Sequence, residues 1–147
     1  MNILITGAPG SIGYDLVRYL SKKNKIYAYY RTKSNKVRKI KNVNWIKTKS
    51  LSNCKFSSKL KPKCIIHCAV DQKYLNLNKN KYLRSNTKIV KNLINHLKKF
   101  KNNSIFINFS SIEVYGIIKN KKLNEHYRPI KQNTYGYMKY ICEKILQ

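Results

Sequence analysis

Three residues in the second half of the chain, Ser111, Tyr135 and Lys139, have the types and order needed to move a proton to or from a hydroxyl group. Tyr135 and Lys139 stand at i and i+4 in a stretch whose apolar residues (Tyr137, Met138, Ile141, Ile145, Leu146) recur at helical spacing, so they share one helix face. A free tyrosine titrates near pH 10 and is a poor base at neutrality, but an ammonium beside it favours the phenolate. Tyr135 is then able to take the proton of a substrate hydroxyl, or return it, while Ser111 orients the same oxygen. The spacing alone does not single out Tyr135, because the chain has 12 tyrosines and Tyr115 and Lys119 are equally spaced. Context separates them: Tyr115 precedes Gly116 in an expected loop, whereas Tyr135 opens an apolar-periodic helix.

A second stretch able to do chemistry lies at the start of the chain. Ile3, Leu4 and Ile5 form a continuous apolar run, Gly7, Gly10 and Gly13 follow, and Ile12, Leu16, Val17 and Leu20 then recur at helical spacing. Strand, glycine turn and helix make the context of a dinucleotide-binding loop. Gly7 allows a tight turn off the strand, Gly10 lets backbone N–H groups approach a pyrophosphate, and Gly13 lets the helix lie close to the strand. The first helical turn, at Ser11 and Ile12, offers unpaired N–H donors at the positive end of the helix dipole. The spacing is G-x-x-G-x-x-G, not G-x-G-x-x-G, and the competing reading is a structural glycine turn. A dinucleotide held here would bring an oxidised nicotinamide, whose positive charge would lower the Tyr135 pKa further. Hydride would leave the carbon whose hydroxyl Tyr135 deprotonates, and Lys139 could hold the nicotinamide ribose.

These residues need a frame. A first helix is expected from about Ser11 to Lys23, ending at Asn24, then strands at Ile26–Tyr30 and Val43–Ile46. Cys54, Phe56 and Leu60 would anchor a short helix closed by Pro62. Cys64–Ala69 reads as a fourth strand, with His67 as a packed, hydrogen-bonded core histidine. Asp71 to Lys81 is a polar connection. The stretch from Tyr82 to Phe100 predicts a long amphipathic helix, with Asn86 in its first half. A fifth strand at Ser104–Phe109, a long loop from Gly116 to Thr134 and a last helix from Tyr135 complete the pattern. Strands alternating with helices make this an α/β chain with a mostly parallel sheet, Rossmann-type and doubly wound, of strand order 3-2-1-4-5. No internal repeat or linker divides residues 1–147, so one dinucleotide-binding domain is expected.

In such a fold an acidic residue ends the second strand and holds the adenosine ribose. Here Tyr30 occupies that place and Arg31 follows. Arg31 is suited to a 2′-phosphate, which favours NADP over NAD; the alternative is a solvated arginine.

Composition narrows the rest. The formal net charge is +27, with Asp15, Asp71, Glu113, Glu125 and Glu143 the only acids. The lysines are scattered along the chain, among many Asn, Ile and Tyr residues whose codons are AT-rich. Specific nucleic-acid recognition is therefore not expected, although loose, salt-sensitive association with polyanions is. No run approaches the roughly 20 apolar residues of a membrane span, and Met1 leads directly into a strand with no signal peptide visible. Cys54, Cys64, Cys68 and Cys142 contain no C-x-x-C pair, and Cys64 and Cys68 would lie about 13 Å apart along a strand, too far for a shared metal or disulfide. No metal site is expected. Buried free thiols point to a reducing, cytoplasmic setting.

The order of these motifs resembles the extended short-chain dehydrogenase/reductases of the NAD-dependent epimerase/dehydratase family. Thr6-Gly7-Ala8-Pro9-Gly10-Ser11-Ile12-Gly13 is similar to the family's T-G-A-x-G-x-I-G loop, and Ile66-His67-Cys68-Ala69 to its H-x-A segment. Ser85-Asn86-Thr87 with Asn92-Leu93 resembles its N-x-x-x-T-x-N-L helix. Ser110-Ser111-Ile112-Glu113-Val114-Tyr115-Gly116 resembles S-S-x-x-V-Y-G. Leu123-Asn124-Glu125 resembles its E loop, and Tyr135-Gly136-Tyr137-Met138-Lys139 with Glu143 resembles Y-G-x-x-K-x-x-x-E. The resemblance implies an NAD(P)-dependent oxidoreductase. Gly7, Gly10, Ser11, Ile12, Gly13, Arg31, Cys68, Ala69, Asn86, Tyr135 and Lys139 would bind the cofactor. Ser111, Tyr135 and Lys139 would be catalytic, and Ser111 and Glu113 would face a nucleotide-diphosphate sugar. Transient oxidation of a sugar hydroxyl would precede epimerisation, dehydration or decarboxylation.

Departures accompany the resemblance. Ser50 replaces the Asp that commonly meets the adenine, which puts adenosine recognition in doubt. Ile112-Glu113 replaces the Asp-Glu pair of the dehydratases, which argues against simple dehydration. Family members continue for roughly another half, so this chain would lack the C-terminal strands and substrate domain, leaving strand five and the last helix with exposed apolar surface. A longer polypeptide, a split or degraded gene, or a completing partner would each account for that. The family's two long helices pair across a dimer, implying a homodimer for an intact version. Alternatives are a non-catalytic dinucleotide-binding or partner-docking fragment, and a polyanion-binding protein.

Overall fold

The computed structural model describes residues 1–57, 59–100, 104–117, 122–130 and 132–147. Lys119, and with it the Tyr115–Lys119 pair, lies outside the described residues, as does part of the expected Gly116–Thr134 loop. The elements run β1 (Asn2–Thr6), α1 (Ser11–Leu20), β2 (Lys25–Tyr30), β3 (Val43–Lys47), β4 (Cys64–His67), α2 (Lys79–Leu97), β5 (Ile105–Asn108), a 3₁₀ turn (Ile112–Tyr115) and α3 (Thr134–Leu146). All five strands are parallel, in the order β3-β2-β1-β4-β5.

Chain contacts separate two units, Met1–Val70 with Ile89–Phe109, and Asp71–Lys88 with Ser110–Gln147. The first unit holds the sheet. Its central strands are apolar without alternation because both faces are covered. Ile3 and Ile5 of β1 join Val17 of α1, Ala28 and Ile66 in one buried cluster. Leu4, between them in sequence, points to the other face and packs with Ile65 of β4 and with Ile89 and Leu93 of α2. On β5 only one face is covered: Phe106 packs in the second cluster, while Ile105 and Ile107 are 57% and 43% exposed. Strand five therefore does present apolar surface, as expected. The second unit holds the first half of α2, the 3₁₀ turn and α3.

Three expectations shift. The long helix starts at Lys79, not Tyr82, because Asn78 caps it, its Oδ1 accepting the Lys81 N–H at 2.9 Å. It ends at Leu97, beyond which Lys99 and Phe100 make tighter bonds to His96 and Leu97. No helix forms among the described residues from Cys54 to Leu60. The Asn92 amide donates to the carbonyls of Leu51 and Cys54, at 2.8 and 3.0 Å, and holds that segment to α2 instead. Cys64 and Cys142 are buried free thiols, whereas Cys54 and Cys68 are only partly buried. No helix among the described residues is long and apolar enough to cross a membrane.

Candidate active site

In the first unit the glycine loop closes against the end of β4. Gly7 has φ +67°, and a Cβ there would stand 2.7 Å from the Ala69 backbone nitrogen. Gly7 thus meets the backbone of Cys68 and Ala69, two of the cofactor-binding candidates. The Gly10 N–H donates to the Gly7 carbonyl at 2.9 Å, and a Cβ on Gly13 would overlap that same carbonyl. Gly10 is the N-cap of α1 and has no side chain to cap the first-turn N–H groups, while Ser11 and Ile12 on that turn are exposed. Donors left this way suit an external anion. His67 is buried, with its Nδ1 2.6 Å from the Thr6 hydroxyl, the packed histidine expected. Arg31 is exposed immediately after β2.

The second unit brings Ser111, Glu113, Tyr135 and Lys139 together. Ser111 starts the 3₁₀ turn, its Oγ accepting the Glu113 N–H at 3.2 Å. The same side chain lies near the Tyr135 phenol and favours its ionised form. Asn133 caps α3, its Oδ1 accepting the Gly136 N–H at 2.7 Å while its Nδ2 donates to the Glu113 carboxylate. Gly136 lies against the Glu113 carbonyl with no room for a Cβ. Lys139, one turn on, is 4% exposed, and its ammonium lies 5.8 Å from the centre of the Tyr135 ring. Beside Ser111 opens a cavity of about 400 Å³, also lined by Tyr115, Leu123, Asn124, Glu125 and Glu143. Ser110 donates to the Glu143 carboxylate at its wall.

The electrostatics correct one expectation. The Tyr135 pKa is raised, not lowered: burial is the largest cause, the Glu113 carboxylate adds to it, and the nearby Ser111 hydroxyl opposes them. Lys139 over the ring face does not reverse that balance. Glu113, read from the sequence as facing substrate, thus also sets the charge environment of the phenol.

Asn86 is buried, and its amide is occupied within the unit. Its Oδ1 accepts the Asp71 N–H at 2.8 Å, and its Nδ2 donates to the carbonyls of Asp71 and Tyr82, both at 3.0 Å. Asp71 also accepts the Ser85 hydroxyl at 2.5 Å. Two participants escaped the sequence reading. Asn133 was detectable as an N-cap residue type just before the helix. Tyr82 had no distinguishing signal among 12 tyrosines. It is completely buried, its hydroxyl has no hydrogen-bond partner, and its pKa is pushed up to about 12 by burial, then by Tyr135 and Cys142 nearby.

The sequence pattern of the NAD dependent epimerase/dehydratase family matches residues 3–147, across both the glycine loop and the Tyr135–Lys139 helix. The chain belongs to this family. No curated protein sequence matches it significantly. Among solved structures, this epimerase/dehydratase family chain is similar to the UDP-N-acetylglucosamine 4-epimerase of Methanobrevibacter ruminantium M1 (TM-score 0.81, 24% identity, 99% of this chain and 49% of that one). It is also similar to the UDP-Glc/GlcNAc 4-epimerase of Campylobacter jejuni (TM-score 0.80, 23% identity, 99% and 47%). A third is the Y149F mutant of UDP-glucuronic acid 4-epimerase from Bacillus cereus, in complex with a UDP-linked fluoro-sugar and NAD (TM-score 0.83, 22% identity, 99% and 51%). At these identities the likeness establishes the fold. The chain spans about half the length of each.

Proposed function

We propose that this chain is the cofactor-binding and proton-transferring half of an NAD(P)-dependent sugar-nucleotide epimerase/dehydratase-type oxidoreductase. The observation that carries this reading is the Lys139 ammonium over the Tyr135 ring, with Ser111 close enough to the same phenol to favour its ionised form. The glycine cradle fits a pyrophosphate: its Gly7 turn is closed against Ala69, and the uncapped first turn of α1 offers N–H donors. Gly7, Gly10, Ser11, Ile12 and Gly13 would hold the phosphates, with Cys68 and Ala69 beside them and Asn86 pinning the backbone at Asp71. When bound, the dinucleotide supplies a hydride acceptor that becomes the donor in the return step.

The chain's own residues handle the proton. Ser111 holds the sugar hydroxyl, Tyr135 takes its proton, and Lys139 over the ring is the protein cation that works against burial and Glu113 in favour of the phenolate. The same phenol returns the proton when the sugar is reduced again. Arg31, with no carboxylate ending β2, favours NADP. The substrate is a nucleotide-diphosphate sugar, and the setting is cytoplasmic. An intact version pairs as a homodimer through its long helices. Fused to a substrate-binding half and supplied with UDP-sugars, Tyr135→Phe is expected to abolish turnover while calorimetry shows unchanged dinucleotide binding. An unchanged rate refutes the assignment.

The exposed Ile105 and Ile107, with the half-length match, favour a second reading: a fragment that holds a dinucleotide or docks on a partner without chemistry. Calorimetry with NAD and NADP on the 147 residues, alongside turnover, separates the two.

A further inference from the structure

We infer that His96 is a proton-operated latch: its neutral ring holds the stretch carrying Leu51, Cys54, Phe56 and Leu60 against the end of α2, and its protonation releases that stretch. The latch lies wholly within the first unit and needs no dinucleotide to operate. His96 is 3% exposed, and its ring lies between two phenylalanines. The Phe56 centroid is 4.8 Å away with the rings tilted by 33°, and the Phe100 centroid is 5.1 Å away at 87°. Phe56 in turn meets Tyr29 of β2 edge-on at 5.3 Å. The imidazole Nε2 is buried in this box and has no hydrogen-bond partner among the described residues. A buried polar atom left that way costs stability, so packing alone is served better by an apolar ring. What the imidazole adds is a site for a proton in the range where histidine titrates.

Only the neutral ring suits this box. Burial and the Lys99 ammonium hold the His96 pKa below its usual value, and the backbone at Leu60 works the other way. The elements around the ring supply no counter-ion. The stretch before Leu60 carries Cys54, Lys55 and Lys59, β2 carries Tyr29, and α2 with the turn after it carries Lys88, Lys91, Lys98 and Lys99. No Asp or Glu stands on any of them, and the C-terminal end of α2 offers an imidazolium only partial negative charge. An imidazolium therefore gains by reaching water. The side that gives way is the stretch from Leu51 to Leu60. It forms no helix among its described residues and is tied to α2 by the two bonds from Asn92, whereas α2 is a continuous helix of 19 residues. The open state takes the proton near the ordinary value of about 6.5, and the closed state only at lower pH. The latch is thus at full strength above that value and weakens as pH falls from it toward the lowered one, by up to about tenfold per pH unit.

The test is amide hydrogen exchange of the full chain, followed by NMR from about pH 7.5 to 5 and corrected for the intrinsic pH dependence of exchange. The reporter is the Leu60 N–H, bonded to the Ser57 carbonyl at 3.0 Å, and the reference is the Leu93 amide within α2. Leu60 protection is expected to fall below about pH 6.5, by up to about tenfold per pH unit, while Leu93 keeps its own. His96→Phe fills the box with a ring that takes no proton, and its Leu60 protection is expected to stay level down to pH 5. His96→Gln, uncharged and still polar, serves the same purpose if circular dichroism shows that the phenylalanine variant does not fold. His126→Gln, at an exposed histidine of the second unit, is expected to behave as the unsubstituted chain. An unchanged decline in the His96 variants assigns it to another group, such as the buried His67, and overturns the latch. Level Leu60 protection in the unsubstituted chain, or an equal loss at Leu93, overturns it as well.

Discussion

Asn133 accepts the backbone N–H of Gly136 at 2.7 Å, which starts α3 one residue before Tyr135 and fixes where that phenol leaves the backbone. The same amide donates to Glu113, so the capping residue also ties the helix to the 3₁₀ turn behind Ser111. Asn133→Ala is expected to cost about 1 kcal/mol, read as a shift in urea midpoint. Gly136→Ala is expected to cost more, about 1–3 kcal/mol, because its methyl group meets the Glu113 backbone rather than a side chain that could swing away.

Glu113 raises the Tyr135 pKa, and its removal should act in the opposite direction. In Glu113→Gln the amide oxygen still accepts from Asn133, but the negative charge is gone. The Tyr135 titration is expected to move to lower pH, followed by carbon-13 NMR of ring-labelled tyrosine and assigned by its loss in Tyr135→Phe. No movement would mean that burial alone, the first cause, sets the value.

The glycines of the first loop are expected to separate stability from binding. Gly7→Ala combines a left-handed backbone with a methyl group 2.7 Å from Ala69 N, and is expected to cost about 1–3 kcal/mol and to abolish dinucleotide binding. Gly10 has an ordinary negative φ, and a Cβ there meets only the Gly7 carbonyl at 3.0 Å. Gly10→Ala is expected to keep the fold within about 1 kcal/mol while weakening NAD(P) binding, measured by calorimetry.

The protein is expected to lose stability in alkali. Burial pushes Tyr29 and Tyr82 up to about 12 and Cys142 to about 11. Raised folded values mean that the folded state keeps protons the unfolded chain releases, so stability is complete below pH 9 and falls as pH rises through the folded values near 11 to 12. Each tyrosine contributes on the order of 2 kcal/mol to that loss. Urea midpoints between pH 8 and 12 check this, and Tyr82→Phe is expected to flatten the decline. Because the Tyr82 hydroxyl has no partner, the same variant is expected to be no less stable at pH 7.

What the sequence determined alone was set by near neighbours along the chain. The unbroken apolar runs of β1 and β4 announce strands covered on both faces, and the 3-2-1-4-5 order follows from strands alternating with helices around the glycine turn. The pairing of Tyr135 with Lys139 follows from helical pitch alone. Tertiary structure decided whatever depends on through-space neighbours. Asn92 reaches 38 residues back to hold the Cys54 carbonyl, and no helix forms among the described residues from Cys54 to Leu60, where the local pattern suggested one. Burial and the Glu113 carboxylate reverse the expected direction of the Tyr135 pKa, because desolvation is a property of the folded surroundings and not of an i,i+4 spacing. Folding also decided which side chains of α2 face water: Tyr82, Ile89, Val90 and Leu93 are buried while Lys81, Arg84, Lys88 and Lys91 are exposed.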